Sequence, residues 1–152
     1  MKILDVLQKE AVLTDLKSQD KKGVIEELAM PLARIAKTDH HGLVRVLMER
    51  ERLGSTGIGG GIGIPHGKIR NLDSLLVGFG MSHEGVNFES IDGRPTHIFF
   101  LLITPENSTG PHLKLLGRIA RMLKNEFFRE KLLSAVNRDE VFDIIREEDE
   151  SF

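Results

Sequence analysis

Six apolar residues follow one another without a polar alternate in Ile98-Phe99-Phe100-Leu101-Leu102-Ile103. Successive strand residues face opposite sides of a sheet, so a strand can carry such a run only where both sides are covered. The run predicts a central strand over Thr96 to Thr104 with helices above and below it. Leu75 to Met81 reads as a second buried strand. From about Asp20 to Lys37, residues Val24, Ile25, Leu28, Leu32 and Ile35 recur at helical spacing, and Pro31 is expected to kink or split the segment. A second helix is predicted from Thr38 or Asp39, either serving as N-cap, to near Arg52, and Gly54 stops it. The C-terminal third reads as three more helices. Pro111 to Lys124 has Gly110 as its N-cap, Asn125 opens the next and runs to about Val136, and Asn137 opens the last and runs to about Glu147. Asn137 with Glu140 resembles a capping box, and Glu147 to Glu150 is expected to be a frayed acidic end.

Elements of this kind predict an α/β fold, a mixed β-sheet flanked by helices on both faces. At 152 residues and 40% hydrophobic content, residues 1–152 are expected to form a single domain. The formal net charge of -2 leaves no basic field to hold nucleic acid. Cysteine is absent, which excludes disulfides, thiolate zinc sites and cysteine nucleophiles. No apolar run approaches the roughly 18 to 20 residues that a membrane span needs, and Asp5 interrupts the first apolar stretch. A cytoplasmic protein without membrane insertion is the expectation.

Histidine is then the most interesting nucleophile. His66 closes the segment Gly57-Ile58-Gly59-Gly60-Gly61-Ile62-Gly63-Ile64-Pro65-His66-Gly67, which has five glycines before the histidine. Such a segment suits short extended pieces joined by turns. Pro65 fixes the approach and Gly67 opens one side, so His66 is expected to be exposed and oriented. A neutral imidazole is a competent phosphoryl acceptor at cellular pH. His112, beside Pro111 at the start of a helix, lies where backbone N–H groups and the helix dipole favour anions, although a first-turn surface residue has the same sequence.

Arg50, in Glu49-Arg50-Glu51-Arg52, offers a guanidinium fork for phosphate oxygens, although an alternating charge run is the ordinary composition of a solvated helix face. Ser55 and Thr56 offer hydroxyl donors; capping or turn formation is their commoner role. Other motifs fail. Gly67-Lys68 lacks the earlier glycine of a P-loop, and Ile69 stands where its Ser or Thr would be. No G-x-G-x-x-G or G-x-S-x-G occurs. His83-Glu84 lacks the second histidine of a zinc-protease helix, and the adjacent His40-His41 would need distant ligands to hold zinc.

The whole stretch from Glu51-Arg52-Leu53-Gly54-Ser55-Thr56 through Pro65-His66-Gly67, with Gly110-Pro111-His112-Leu113 and Asn125-Glu126-Phe127-Phe128-Arg129 later, resembles the type-2 enzyme IIA family of the phosphotransferase system, the fructose, mannitol and nitrogen-regulatory group. Gly63 departs from it, since the family more often has alanine there; the glycine is expected to add flexibility. The resemblance implies the mannitol-type fold and a phosphotransferase working through a phosphohistidine at His66. The donor would be HPr or its nitrogen-branch relative, a small phosphocarrier protein. It further implies that His112 and Arg50 are catalytic partners, that Ser55 and Thr56 lie beside the phosphoryl group, and that no metal or other cofactor is needed. Arg52 to Gly57 is more similar to the nitrogen-regulatory branch, which implies regulated target proteins as partners. Two alternatives stand beside that reading: a sugar-specific EIIA passing phosphate to a IIB component, and a regulatory binding module that works without phosphorylation.

Overall fold

A computed structural model describes all 152 residues, Met1–Phe152. After a short 3-10 turn at Ile3–Asp5 come β1 (Leu7–Leu13), α1 (Lys21–Ala36), α2 (His40–Arg52), β2 (Gly57–Gly59), β3 (Ile62–Gly63) and β4 (His66–Ile69). Then follow β5 (Leu76–Val86), β6 (Thr96–Pro105), α3 (Thr109–Met122), α4 (Glu126–Ser134) and α5 (Arg138–Ser151).

The apolar run sits where its composition requires. Residues Ile98 to Ile103 are each at most 1% exposed, in the strand that joins the two halves of the sheet. β6 pairs antiparallel with β5, with Phe79 opposite Phe100 and Leu76 opposite Ile103. On its other side it runs parallel to β3 and then to β4. The order β1-β5-β6-β3-β2, with β4 beside β6, makes a six-stranded mixed sheet. One cluster of 39 buried residues forms the core, in which Phe79 meets Phe100 and Phe88 meets Phe99 edge to face at 5.1 and 5.0 Å.

Capping residues set the helix starts: Asp20, Asp39, Asn125 and Asn137 each accept a backbone N–H from the first turn. The Asn137 pair is only half a capping box, because Glu140 accepts from the N–H of Val136 rather than from that of Asn137. Pro31 does not split α1. Its ring is buried in a helix held against β5 and α2, and that packing outweighs the one lost hydrogen bond.

Three features depart from the sequence reading. β1 was not foreseen: it buries only Leu7, Ala11 and Val12, and its pairing with β5 shifts register between Leu7 and Val12, so no alternation shows. β5 continues past Met81 to Val86. The acidic end does not fray, since α5 continues to Ser151 and Asp149 is 1% exposed. The Asp149 carboxylate accepts from the backbone N–H of Ile3 at 2.7 Å and from Arg118 Nε at 2.9 Å. A buried carboxylate needs such partners, and here they come from the opposite end of the chain and from α3.

Candidate active site

The glycine-rich segment folds into a hairpin of two short strands, β2 and β3, followed by β4. Gly59, Gly60 and Gly61 have φ of 94°, 66° and 81°, a left-handed turn that residues with a Cβ rarely adopt. Asp92 holds its tip by accepting the Gly60 N–H at 3.0 Å. β3 then joins β6, the chain leaves the ladder at Ile64-Pro65, and it rejoins β6 as β4 at His66. That gap exposes the Ile64 carbonyl to a side-chain donor.

Two glycines act through packing. A Cβ on Gly67 would stand 3.0 Å from Val46 Cγ1, so the glycine lets α2 settle directly on β4. A Cβ on Gly63 would stand 3.1 Å from the Phe99 ring, in a buried strand at ordinary φ. The flexibility expected of Gly63 is therefore corrected: its role is to admit Phe99.

His66 is half-buried, with Nδ1 2.8 Å from the Ile64 carbonyl oxygen. A carbonyl only accepts, so Nδ1 carries the hydrogen and Nε2 keeps its lone pair. Burial lowers the pKa of His66 below the usual 6.5, and the Arg50 guanidinium lowers it further, while the Ile64 bond and Glu51 oppose them. His112, the second imidazole, has its ring centre 5.4 Å from that of His66, with the planes inclined at 56°. It is not a surface residue, being 6% exposed with Nδ1 buried and unpartnered. Its helix begins at Thr109 with Ser108 in the N-cap place, so Gly110 and Pro111 lie inside the first turn. Burial also lowers the pKa of His112, and His66 and Lys68 add to the effect. Both rings are neutral at neutral pH.

Arg50, His66, Lys68 and His112 line one open depression of about 460 Å³, with Val46 and Leu53 at its apolar wall. Arg50 Nη1 donates to the Gly54 carbonyl at 3.0 Å, which bends the guanidinium back over the end of α2. Ser55 and Thr56 are not brought into the depression. Ser55 Oγ donates to the Phe88 carbonyl at 3.1 Å and accepts the Gly57 N–H at 3.0 Å. Thr56 is buried, and its hydroxyl donates to the Glu51 carboxylate, which also accepts the Thr56 N–H at 3.0 Å.

Glu51, which the alternating charge run had suggested was solvated, is 6% exposed and pairs with Lys21 Nζ at 3.0 Å. This pair ties the start of α1 to the end of α2 and the glycine segment. Lys68 was noticed in the sequence only as part of a failed P-loop. The signal that could have found it is its position two residues after His66 in an extended segment, which puts both side chains on the same side. No group of three or more His, Cys, Asp or Glu side chains comes together to hold a metal ion, and no helix is long and apolar enough to cross a membrane. A neutral imidazole with an available lone pair, beside a second imidazole and two cations, is built to receive an anionic electrophile.

Residues 5–148 match the family described as Phosphoenolpyruvate-dependent sugar phosphotransferase system, EIIA 2. A nitrogen regulatory protein of Bradyrhizobium diazoefficiens is 36% identical over 145 residues, 95% of each chain. The fructose-specific EIIABC component of Bacillus subtilis is 36% identical over 150 residues, which are 98% of this chain and only 24% of that longer protein. The crystal structure of the nitrogen regulatory protein IIA-Ntr of Neisseria meningitidis superposes with a TM-score of 0.88 at 33% identity, over 93% of this chain and 97% of that one. The chain belongs to the EIIA type-2 family of the phosphoenolpyruvate-dependent phosphotransferase system and is a phosphoryl carrier of that kind.

Proposed function

We propose that His66 carries the phosphoryl group, on Nε2, as a phosphohistidine. The observation that supports this most directly is the hydrogen bond from its Nδ1 to the Ile64 carbonyl, which leaves the lone pair on the other nitrogen. In the transfer the Nε2 lone pair forms the new N–P bond. The N–P bond of the donor phosphohistidine breaks, and its electron pair returns to the donor ring. Nδ1 keeps its hydrogen throughout, so the product is first an imidazolium whose positive charge rests against the Ile64 carbonyl. No proton has to move during the step. His112 and Arg50 donate to the equatorial oxygens, and catalysis is mainly positioning and electrostatic stabilisation.

The donor is an HPr-like phosphocarrier protein. Exposed Leu53, in the wall of the depression, gives such a partner apolar contact beside the histidine. The likeness to nitrogen regulatory proteins in sequence and in structure favours a regulatory carrier, in which phosphate adds charge and acceptors to a face that docks target proteins. Sugar transport is the second reading, because the Bacillus subtilis relative bears EIIABC in its name; there the acceptor would be a IIB component. We read residues 1–152 as one domain, supported by the single core, and as cytoplasmic.

Intact-mass spectrometry under non-acidic conditions, after incubation with phosphoenolpyruvate, enzyme I and an HPr-like carrier, tests the assignment. One acid-labile phosphate on the wild type and none on His66→Ala is the expected result. A wild type that takes no phosphate from sugar-branch or nitrogen-branch donors contradicts the carrier reading and makes a non-phosphorylated binding module the better one. Transfer onward to a IIB component separates the two branches.

A further inference from the structure

Lys68 is not accounted for by the roles given to His66, His112 and Arg50. Along β4 the pattern is half-buried His66, buried Gly67, exposed Lys68 and buried Ile69. Side chains two apart on a strand project from the same side, so the Lys68 stem rises beside the His66 ring, and both line the same depression. Its ammonium has no carboxylate within 4.0 Å. The one hydrogen bond recorded for it is to the neutral hydroxyl of Thr109, at 3.0 Å, at the start of α3.

Charge balance gives this cation a use. A phosphoryl group brings about two negative charges. Both imidazoles are neutral before transfer, and Arg50 supplies one cation that is already engaged with the Gly54 carbonyl. The imidazolium formed on transfer holds its hydrogen on Nδ1 against the Ile64 carbonyl, on the side of the ring away from the phosphoryl oxygens, so a second mobile cation is the one free to meet those oxygens directly. Lysine suits that task, because its flexible stem carries a compact charge that exchanges one oxygen for another. Exchange of the Thr109 hydroxyl for a phosphoryl oxygen replaces a neutral acceptor with an ionised one, a stronger hydrogen bond.

We infer that Lys68 is a further phosphoryl-binding residue, resting on Thr109 in the unphosphorylated chain and moving onto the phosphoryl oxygens once His66 carries the group. This inference rests on the assignment of His66 as the carrier.

The test is the equilibrium between the phosphorylated HPr-like donor and this chain, measured with the forward rate in wild type, Lys68→Met and Lys68→Arg. A residue that only helps the partner dock changes forward and reverse rates together and leaves the equilibrium alone, whereas one that touches the phosphoryl group shifts it. Lys68→Met is expected to lower the equilibrium ratio of phosphorylated to unphosphorylated chain about tenfold, with Lys68→Arg recovering most of the loss. Lys68 is exposed, so both variants should fold, which thermal unfolding checks. An unchanged equilibrium in Lys68→Met, with His66 still phosphorylated, overturns the role of Lys68 and leaves that of His66 standing. A wild type that takes no phosphate overturns both.

Discussion

The Ile64 carbonyl oxygen lies 2.8 Å from Nδ1 of His66, two residues further along the same chain. One strand interruption thus sets both the direction of the imidazole and its tautomer. Pro65 has no N–H, and the break it occupies leaves the preceding carbonyl for the ring to use.

The pH dependence follows from this burial. Burial and then Arg50 lower the pKa of His66, and burial likewise leads for His112. Nε2 of His66 therefore stays unprotonated below the usual 6.5, and the rate of phosphoryl acceptance should hold as pH falls through that value. Below 6.5 the unfolded chain binds more protons at these two histidines than the folded chain, so their contribution to stability declines as pH falls towards the lower folded values. NMR titration of the imidazoles checks the pKa values, and a rate profile centred at or above 6.5 would contradict them.

Removal of either flanking group should slow the reaction. Arg50→Ala is expected to reduce single-turnover transfer about 100-fold with little change in thermal unfolding, since one donor to the phosphoryl oxygens is lost. His112→Ala should also slow it and should change stability as well, because that ring is 6% exposed and packed inside α3's first turn. Wild-type rates in either variant remove that residue from the site.

Ser55→Ala should separate stability from transfer. Its hydroxyl is engaged with the Phe88 carbonyl and the Gly57 N–H, so the substitution should cost about 1 kcal/mol in urea unfolding and leave the transfer rate near that of the wild type. A large fall in rate with full stability would return Ser55 to the phosphoryl site.

The Lys21–Glu51 pair should be strongly coupled. Its side chains are 9% and 2% exposed, and Glu51→Gln leaves the Lys21 charge buried without its partner, at a cost of about 3 kcal/mol. Lys21→Met combined with Glu51→Gln should recover much of that loss. A double-mutant cycle with strictly additive effects would show that the two charges act separately.

Gly63→Ala is expected to destabilise the chain by about 1 kcal/mol, because the new Cβ meets the Phe99 ring at 3.1 Å and Thr96 Cγ2 at 3.3 Å. Phe99→Leu in the same background should relieve part of the strain. A stability gain in Gly63→Ala alone would restore the reading of this glycine as a source of flexibility.

The legible parts of the fold are those with strong local signals. The Ile98 to Ile103 run marked the central strand, and Asp39, Asn125 and Asn137 marked helix starts through their own side chains. β1 was illegible, because an edge strand with three buried residues and a register shift carries no periodicity. Asp149 reads as one more acid in Glu147 to Glu150; its burial depends on Arg118 and the N-terminal backbone, contacts that no local pattern encodes. At the site, the segment around His66 was readable because glycine admits turns that other residues rarely adopt and proline fixes φ. Whether Ser55 or Thr56 faced His66 was not, since that depends on which carbonyls and carboxylates the fold brings to each side chain.

Asp149 also joins parts of the molecule that the reaction never touches. The chain's first residues and its last helix meet on one carboxylate, and Arg118, which completes that meeting, sits less than two turns after His112 on the same helix. A chain whose ends share one fastener cannot loosen at one end alone. Hydrogen exchange at Ile3 and in the last turn of α5 should therefore report one common opening rather than two independent ones.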